Sequence, residues 1–369
     1  MRIAYSFAGE GLGHATRTMV IGPLLERKHE VTYFIPDIAR AFIVSRMGER
    51  RYDRILHFAF QKQGERVLLL ASIFCTLPLL FRFPIEMIRL VGRLRSLGIE
   101  AVISDFDPFL PWAARIAGIP ILQINHPGIV QRVLRPRPIA VVTALVTRIL
   151  EGPWNERMLI SFYNGDVGPI LREEIFSHPV RDDGALLVNL KESLRPVVLP
   201  VLDAMGLRYR LVPDPRENFE EALAACSFVL STAGHQIIAE SIALNKPILV
   251  IPQRGQWEQN LNAEMVEQTG KGRSTTVTRL MADIADFMSH LERYRSNRLP
   301  PRFSIADGQK AILRGVEAFL RRCRRRKSRL VLVPVPPRSI GRRVQSHGQA
   351  CPETPAASAS QKPRLARTS

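Results

Sequence analysis

Residues 228–269 read FVLSTAGHQIIAESIALNKPILVIPQRGQWEQNLNAEMVEQT. Phe228–Ser231 is a short apolar run that ends in small residues, and Gln236–Ala243 then reads as a helix. Pro247–Ile251 is a second apolar run, stopped by Pro252, and Glu258–Thr269 a second helix. Strand, turn, helix, strand and helix in 42 residues is the repeating unit of a parallel sheet with crossover helices.

The same alternation extends upstream. Ala185–Leu190 and Tyr209–Val212 read as strands, with helices at Leu194–Met205 and Phe219–Ala225. An earlier series begins at Arg2–Phe7, a strand followed by a helix at Thr16–Arg27. It continues with strands at Glu30–Ile35, Ala101–Ser104 and Pro120–Ile124 and a helix at Pro111–Ala117. The spacing predicts an α/β chain of two Rossmann-like, doubly wound halves, 1–165 and 166–304, joined near Asn164 to Asp183. A helix from Ile305 to about Arg325 closes the fold in a 305–329 segment, and 330–369 is expected to be a disordered basic tail.

Length and composition agree. The chain has 369 residues, 46% hydrophobic and 23% charged, which excludes a wholly disordered protein. Its net charge of +18 first suggests a polyanionic partner. From Arg321 to Ser369, however, 13 Lys/Arg face the single acid Glu353, so this stretch holds +12 of the +18. The remaining +6 makes the folded part mildly basic. Tail and basic cluster lack interleaved aromatics, so no specific nucleic acid is expected. Cys75, Cys226, Cys323 and Cys351 are scattered, which argues against a disulfide framework or a structural zinc site. The N-terminus lacks the long apolar core of a signal peptide, and a cytoplasmic location is expected.

Val67 to Phe81 carries no charge, but at 15 residues it is short of a membrane span and contains Pro78. Beyond Pro84, Glu86, Arg89 and Arg93 share one helical face, with Ile85, Ile88, Leu90, Val91 and Leu94 on the remainder. One reading makes 67–97 two core-packing helices. The other makes it an apolar lip ringed by arginines on an anionic membrane surface.

Ala8-Gly9-Glu10-Gly11-Leu12-Gly13-His14 follows the first strand and opens the first helix. Glycines there allow a sharp turn and close approach of a ligand. A dinucleotide fingerprint needs glycines at 9, 11 and 14, whereas these fall at 9, 11 and 13. Asp37 after the second strand keeps that reading open. His14 is placed at the carboxyl end of the sheet, where open α/β sheets bind ligands, and histidine suits general-base work near neutrality. Asp105 ends a later strand of the same sheet and is expected to orient His14. Asp107 is the alternative partner, and helix capping the alternative role for Asp105.

In the second half, Ser231-Thr232-Ala233-Gly234-His235 sits at a strand-to-helix turn suited to a diphosphate. Glu240 on that helix is placed for ribose hydroxyls, and Glu258 and Gln259 for sugar hydroxyls. Gly234, Glu240, Pro247, Pro252 and Glu258-Gln259-x-x-Asn262-Ala263 resemble the donor signature of GT-B-fold, nucleotide-sugar-dependent glycosyltransferases. The likeness is to the family acting on small lipophilic acceptors and to the peptidoglycan-type N-acetylglucosaminyltransferases. Gly11-Leu12-Gly13-His14 resembles the family's glycine–histidine turn, and Asp105 its His-orienting Asp.

The resemblance implies an inverting, metal-independent transferase that needs no cofactor beyond a nucleotide sugar, a UDP-sugar. His14 would be the base. Thr232, Gly234, His235, Glu240, Glu258, Gln259 and Asn262 would bind the donor, with Lys191 or Ser193 near the diphosphate. The first half, with Gly11, Gly13 and His126, would bind the acceptor. One departure stands out. The diphosphate-binding His of plant members falls at Thr232, and His235 lies three residues later. His126, in Asn125-His126-Pro127-Gly128, rivals His14 as base. A lipophilic or lipid-linked acceptor is expected, with the protein peripheral on the inner face of the membrane through 67–97 and its Arg-rich C-terminus. Alternatives are a nucleotide-sugar 2-epimerase, a glycerophosphate transferase, or a non-catalytic binder of membrane or nucleic acid.

Overall fold

The structure, a computed structural model, describes residues 1–9, 12–57, 62–63, 66–67, 69–133, 138–214 and 216–331. Met1–Lys327 is one compact unit and Ser328–Ser369 a second, of which 328–331 are described, as the end of the last helix. Most of the 330–369 tail and Gly11 lie outside the described residues.

In the first half, β1 (Arg2–Phe7), α1 (Leu12–Glu26), β2 (Glu30–Pro36), α2 (Asp37–Met47) and β3 (Tyr52–Ile55) come first. A small antiparallel pair, β4 (Lys62–Gln63) and β5 (Arg66–Val67), precedes the long α3 (Leu69–Ser96). Then follow β6 (Ala101–Asp105), α4 (Phe109–Ala117), β7 (Ile121–Asn125), α5 (Pro138–Glu151) and β8 (Glu156–Leu159). The six long strands form a parallel sheet in the order β3-β2-β1-β6-β7-β8. Successive side chains of a strand face opposite ways. Ile3, Tyr5 and Phe7 therefore join one core with α1 and α2, while Ala4 joins another beneath α3 and α4.

The second half contains β9 (Leu186–Asn189), α6 (Arg195–Ala204), β10 (Tyr209–Val212), α7 (Phe219–Ala225), β11 (Val229–Thr232) and α8 (His235–Ala243). It continues with β12 (Ile248–Ile251), α9 (Trp257–Thr269), β13 (Gly272–Ser274), α10 (Leu280–Ser289) and α11 (Leu291–Ser296). Its sheet is parallel in the order β10-β9-β11-β12-β13. One face packs on α6 and α10. The other shares its core with Ile129, Val130, Leu159, Phe162 and Tyr163 of the first half. The last helix, α12 (Gln309–Val331), returns to the first sheet, where Ile312, Val316 and Phe319 pack with Ile3 and Tyr5.

Two local differences from the sequence reading affect the site. Helix α1 starts at Leu12 rather than Thr16, so His14 stands on the helix with Arg17 three residues on. Residues 69–96 form one helix through Pro78 and Pro84, not two. A proline inside a helix costs about 3 kcal/mol. The burial of Met87, Leu90, Val91 and Leu94 in the core with α4 offsets it. Among the described residues no helix is long and apolar enough to cross a membrane.

Candidate active site

Parallel pairing of β1 with β6 puts Phe7 opposite Asp105, and the Ala8 N–H donates to the Asp105 carbonyl at 2.9 Å. The chain leaves β1 through the glycine turn and enters α1 beside that carboxylate. His14 Nδ1 lies 2.8 Å from Asp105 Oδ1. Arg17, one turn along α1, donates to the same carboxylate twice, from Nε to Oδ2 at 2.8 Å and from Nη2 to Oδ1 at 2.9 Å. Arg17 Nη2 is also 2.7 Å from His14 Nδ1. Burial works most strongly, against the ionised carboxylate, but the charges and hydrogen bonds of Arg17 and His14 together hold Asp105 below the usual carboxylate range. Phe106 adopts a left-handed backbone, φ 64°, and lays its ring parallel to His14 at 6.2 Å. A non-glycine residue in that region is strained, and here it sits next to the His14–Asp105 pair.

Asp107 turns elsewhere. Its carboxylate accepts from the Phe109 N–H at 3.0 Å and the Leu110 N–H at 2.9 Å, capping α4. Burial pushes its carboxyl up to about 7. The two aspartates thus divide the roles that the sequence left open: Asp105 holds His14 and Asp107 caps the helix.

The two halves meet at this point. A Cβ on Gly13 would stand 3.8 Å from Cβ of Gln236 on α8. Gly234 is the N-cap of α8 and Thr232 ends β11, so the positive end of α8 faces the glycine turn. Beside them Gln253 is held by Gln259, whose Oε1 accepts the Gln253 N–H at 3.0 Å, and by Lys191 Nζ at 2.8 Å. Glu258, in the first turn of α9, stays partly exposed.

Three expected site residues have protein partners instead of open space. His126 is 1% exposed against 9% for His14, and both its nitrogens face protein oxygens. Nδ1 lies 2.9 Å from the Ile160 carbonyl and Nε2 3.0 Å from Asn262 Oδ1. In this arrangement it therefore offers no nitrogen to a substrate. His235 stacks on His126 at 3.8 Å and accepts the Phe162 N–H at Nε2, 3.3 Å away. Its proton is thus on Nδ1, which is buried and makes no hydrogen bond. Asn262 bridges the halves, donating to the Ala233 carbonyl at 3.1 Å and accepting from the Tyr163 hydroxyl at 2.6 Å. Burial holds both histidines below their ordinary range, His235 well below.

Glu240 departs furthest from its expected ribose role. It is fully buried, and both carboxylate oxygens accept from Arg172, at 2.8 and 2.6 Å. Gln236 adds a third donor at 2.8 Å, and Arg172 also reaches Glu220 at 2.8 Å. An acid closed off in this way is unavailable to a ribose in this arrangement. Arg172, from the segment between the sheets, was not singled out in the sequence because its partner lies 68 residues away. Arg17 had a readable signal, its i, i+3 spacing from His14, hidden by starting α1 too late.

A family model described as Glycosyl transferase family 1 matches residues 1–292. An uncharacterized glycosyltransferase of Methanosarcina acetivorans is 24% identical, over 74% of this chain and 85% of its own. MurG of Acinetobacter baumannii shares the fold at a TM-score of 0.54 and 12% identity, over 86% of this chain and 99% of its own. The UDP-GlcNAc 2-epimerase of Neisseria meningitidis does so at 0.55 and 13%, over 86% and 100%. The two parallel α/β sheets are thus the GT-B fold, which these neighbours use for different reactions. With its family model spanning both sheets, the chain belongs to glycosyl transferase family 1 and is a glycosyltransferase.

Proposed function

We propose that the protein is an inverting, metal-independent transferase that moves a sugar from a UDP-sugar to the hydroxyl of a lipophilic or lipid-linked acceptor. The observation that carries this reading is the His14–Asp105 pair, set at the carboxyl ends of β1 and β6 opposite the start of α8. With Nδ1 directed to Asp105, Nε2 of His14 takes the proton from the acceptor hydroxyl. The acceptor oxygen attacks the anomeric carbon as the bond to the diphosphate breaks on the opposite face. UDP leaves with the negative charge. The N–H groups at the start of α8, with Thr232 and Lys191, stabilise it. Glu258 and Gln259 read the sugar hydroxyls.

The acceptor arrives from an anionic membrane surface. Right-handed crossovers put α4 and α5 on one face of the first sheet, and α3 packs beside α4 in the same core. The outer side of this layer exposes Phe81, Ile85 and Ile88 on α3, Trp112 and Ile116 on α4, and Leu145 and Ile149 on α5. Over 81–96, 109–117 and 138–151 the acids are Glu86 and Glu151, both buried, against six arginines. Arg89 and Arg93 are paired with Glu86 and Asp53, and the exposed apolar groups beside Arg82, Arg95, Arg115 and Arg148 suit an anionic lipid surface.

The test is incubation of the protein with labelled UDP-sugars, with and without a total lipid extract, after a thermal-shift panel has chosen the donor. Label in the lipid phase with an inverted anomeric centre supports the reading. Epimerised nucleotide sugar without transfer overturns it.

A further inference from the structure

Phe106 is placed against the preference of its own backbone. Along β6 the side chains alternate between two cores. Ala101 and Ile103 lie with α1 and α2, Val102 lies beneath α3 and α4, and Asp105 meets α1 again. Carried on by one residue, this alternation sends Phe106 beneath α4, where Phe109 and Leu110 are buried. It goes the other way. The left-handed backbone, φ 64°, lays the ring beside His14 of α1 at an interplanar angle of 12°. The ring is half-buried and, among the described residues, belongs to none of the four apolar cores. The fold thus gives up an apolar burial and accepts a strained residue at the same position.

Both flanks hold the residue there. Arg17 fixes the Asp105 carboxylate through two hydrogen bonds. The Asp107 carboxylate is fixed by the Phe109 and Leu110 N–H groups, and its own N–H donates to Ser104 Oγ at 3.3 Å. A glycine would take this backbone without strain, so the ring is there for what it touches. We propose that Phe106 is a specificity-determining residue of the acceptor side: its ring is a wall of the cleft on which the acceptor lays the apolar face that adjoins its nucleophilic hydroxyl. The contact holds that hydroxyl at His14 and keeps water from the same side. Aromatic rings favour offset parallel packing at centroid distances of about 4.5–7 Å, so one ring can lie along the imidazole and still receive a flat apolar face. This rests on the reading of His14 as base and deepens that of a lipophilic acceptor. Apolar surface begins beside the hydroxyl rather than at the far end of a polar headgroup.

The test compares the full chain as wild type, F106G, F106A, F106Y and H14N. It reads Tm, UDP affinity by calorimetry, UDP release from the labelled UDP-sugar in water alone, and label transferred to the total lipid extract. Glycine relieves the strain and alanine retains it, so F106G should melt above F106A. F106G should bind UDP within about twofold of wild type, while its ratio of lipid transfer to hydrolysis drops by ~10-fold or more through a raised acceptor KM. F106Y keeps the ring and should retain most of that ratio. If F106G fails to fold, F106A decides through the same ratio. An unchanged ratio and acceptor KM in the folded variant overturn the proposal. So does an equal loss of hydrolysis and transfer, because the ring would then only support His14. An active H14N overturns the base reading instead, and a wild type that labels no lipid overturns the acceptor reading; the proposal falls with either.

Discussion

His126 and His235, 109 positions apart and from opposite halves of the molecule, stack with ring centroids 3.8 Å apart and an interplanar angle of 24°. Both are buried, and the nearest carboxylate to His126 Nε2, that of Glu258, is 3.7 Å away and does not offset the burial. Two cations this close would repel each other in a site that water cannot screen. The junction between the halves therefore needs neutral rings.

That requirement makes stability depend on pH with a definite sign. Both folded-state values lie below histidine's ordinary ~6.5. Below that pH the unfolded chain binds protons that the folded chain refuses, so stability falls as pH falls. The slope approaches ~1.4 kcal/mol per pH unit for each ring. Urea unfolding should show a lower midpoint at pH 5.5 than at 7.5, and H235Q should flatten the difference. Equal midpoints would contradict the buried neutral pair.

The Arg172–Glu240 pair predicts a structural phenotype for a residue expected to bind ribose. E240A leaves Arg172 half-paired in a buried site and should cost about 3–5 kcal/mol. R172M/E240L should cost clearly less than the sum of the single changes, because neither charge is then stranded. Denaturant titrations of the four proteins measure the coupling. A stable E240A with weakened UDP binding would restore the ribose role.

Close backbone approach sets another expectation. Gly168 lies against Ala306, and a Cβ on it would overlap the Ala306 carbonyl oxygen. Beside it the Gly308 N–H donates to the Pro169 carbonyl at 2.7 Å. This contact ties the segment between the sheets to the lead-in of α12. G168A should destabilise by about 1–3 kcal/mol, read as a fall in Tm.

D105N keeps the shape of the dyad and removes its charge. Turnover should fall by ~10²-fold or more with UDP affinity retained, measured by UDP release and calorimetry. A matched loss of UDP binding would instead place Asp105 on the donor side.

The membrane reading is checked by co-sedimentation with vesicles containing anionic lipid. I85E/I88E and L145E/I149E should each weaken binding, and neutral vesicles should bind poorly. Binding that survives both double changes but not removal of 330–369 would assign it to the basic tail alone.

Much of the site was legible because its residues sit where strands end. His14 follows β1, Asp105 ends β6, and Thr232 and Gly234 flank the end of β11. Strand ends are marked by local glycine, aspartate and small-residue signals that need no knowledge of neighbours. Arg17 escaped because of a helix boundary placed four residues late. Arg172 and Tyr163 escaped for a deeper reason, since their partners Glu240 and Asn262 lie 68 and 99 positions further along the chain.

By itself the sequence determined the alternation of strands and helices, the two parallel sheets and the ends at which chemistry gathers. Those follow from short-range periodicity and turn chemistry. Tertiary structure alone decided which of two aspartates holds His14, that His126 lies sealed in a stacked pair, and that Glu240 is occupied by an arginine. Each of these depends on desolvation and on a hydrogen-bond partner brought from far along the chain, quantities that exist only once the chain has packed.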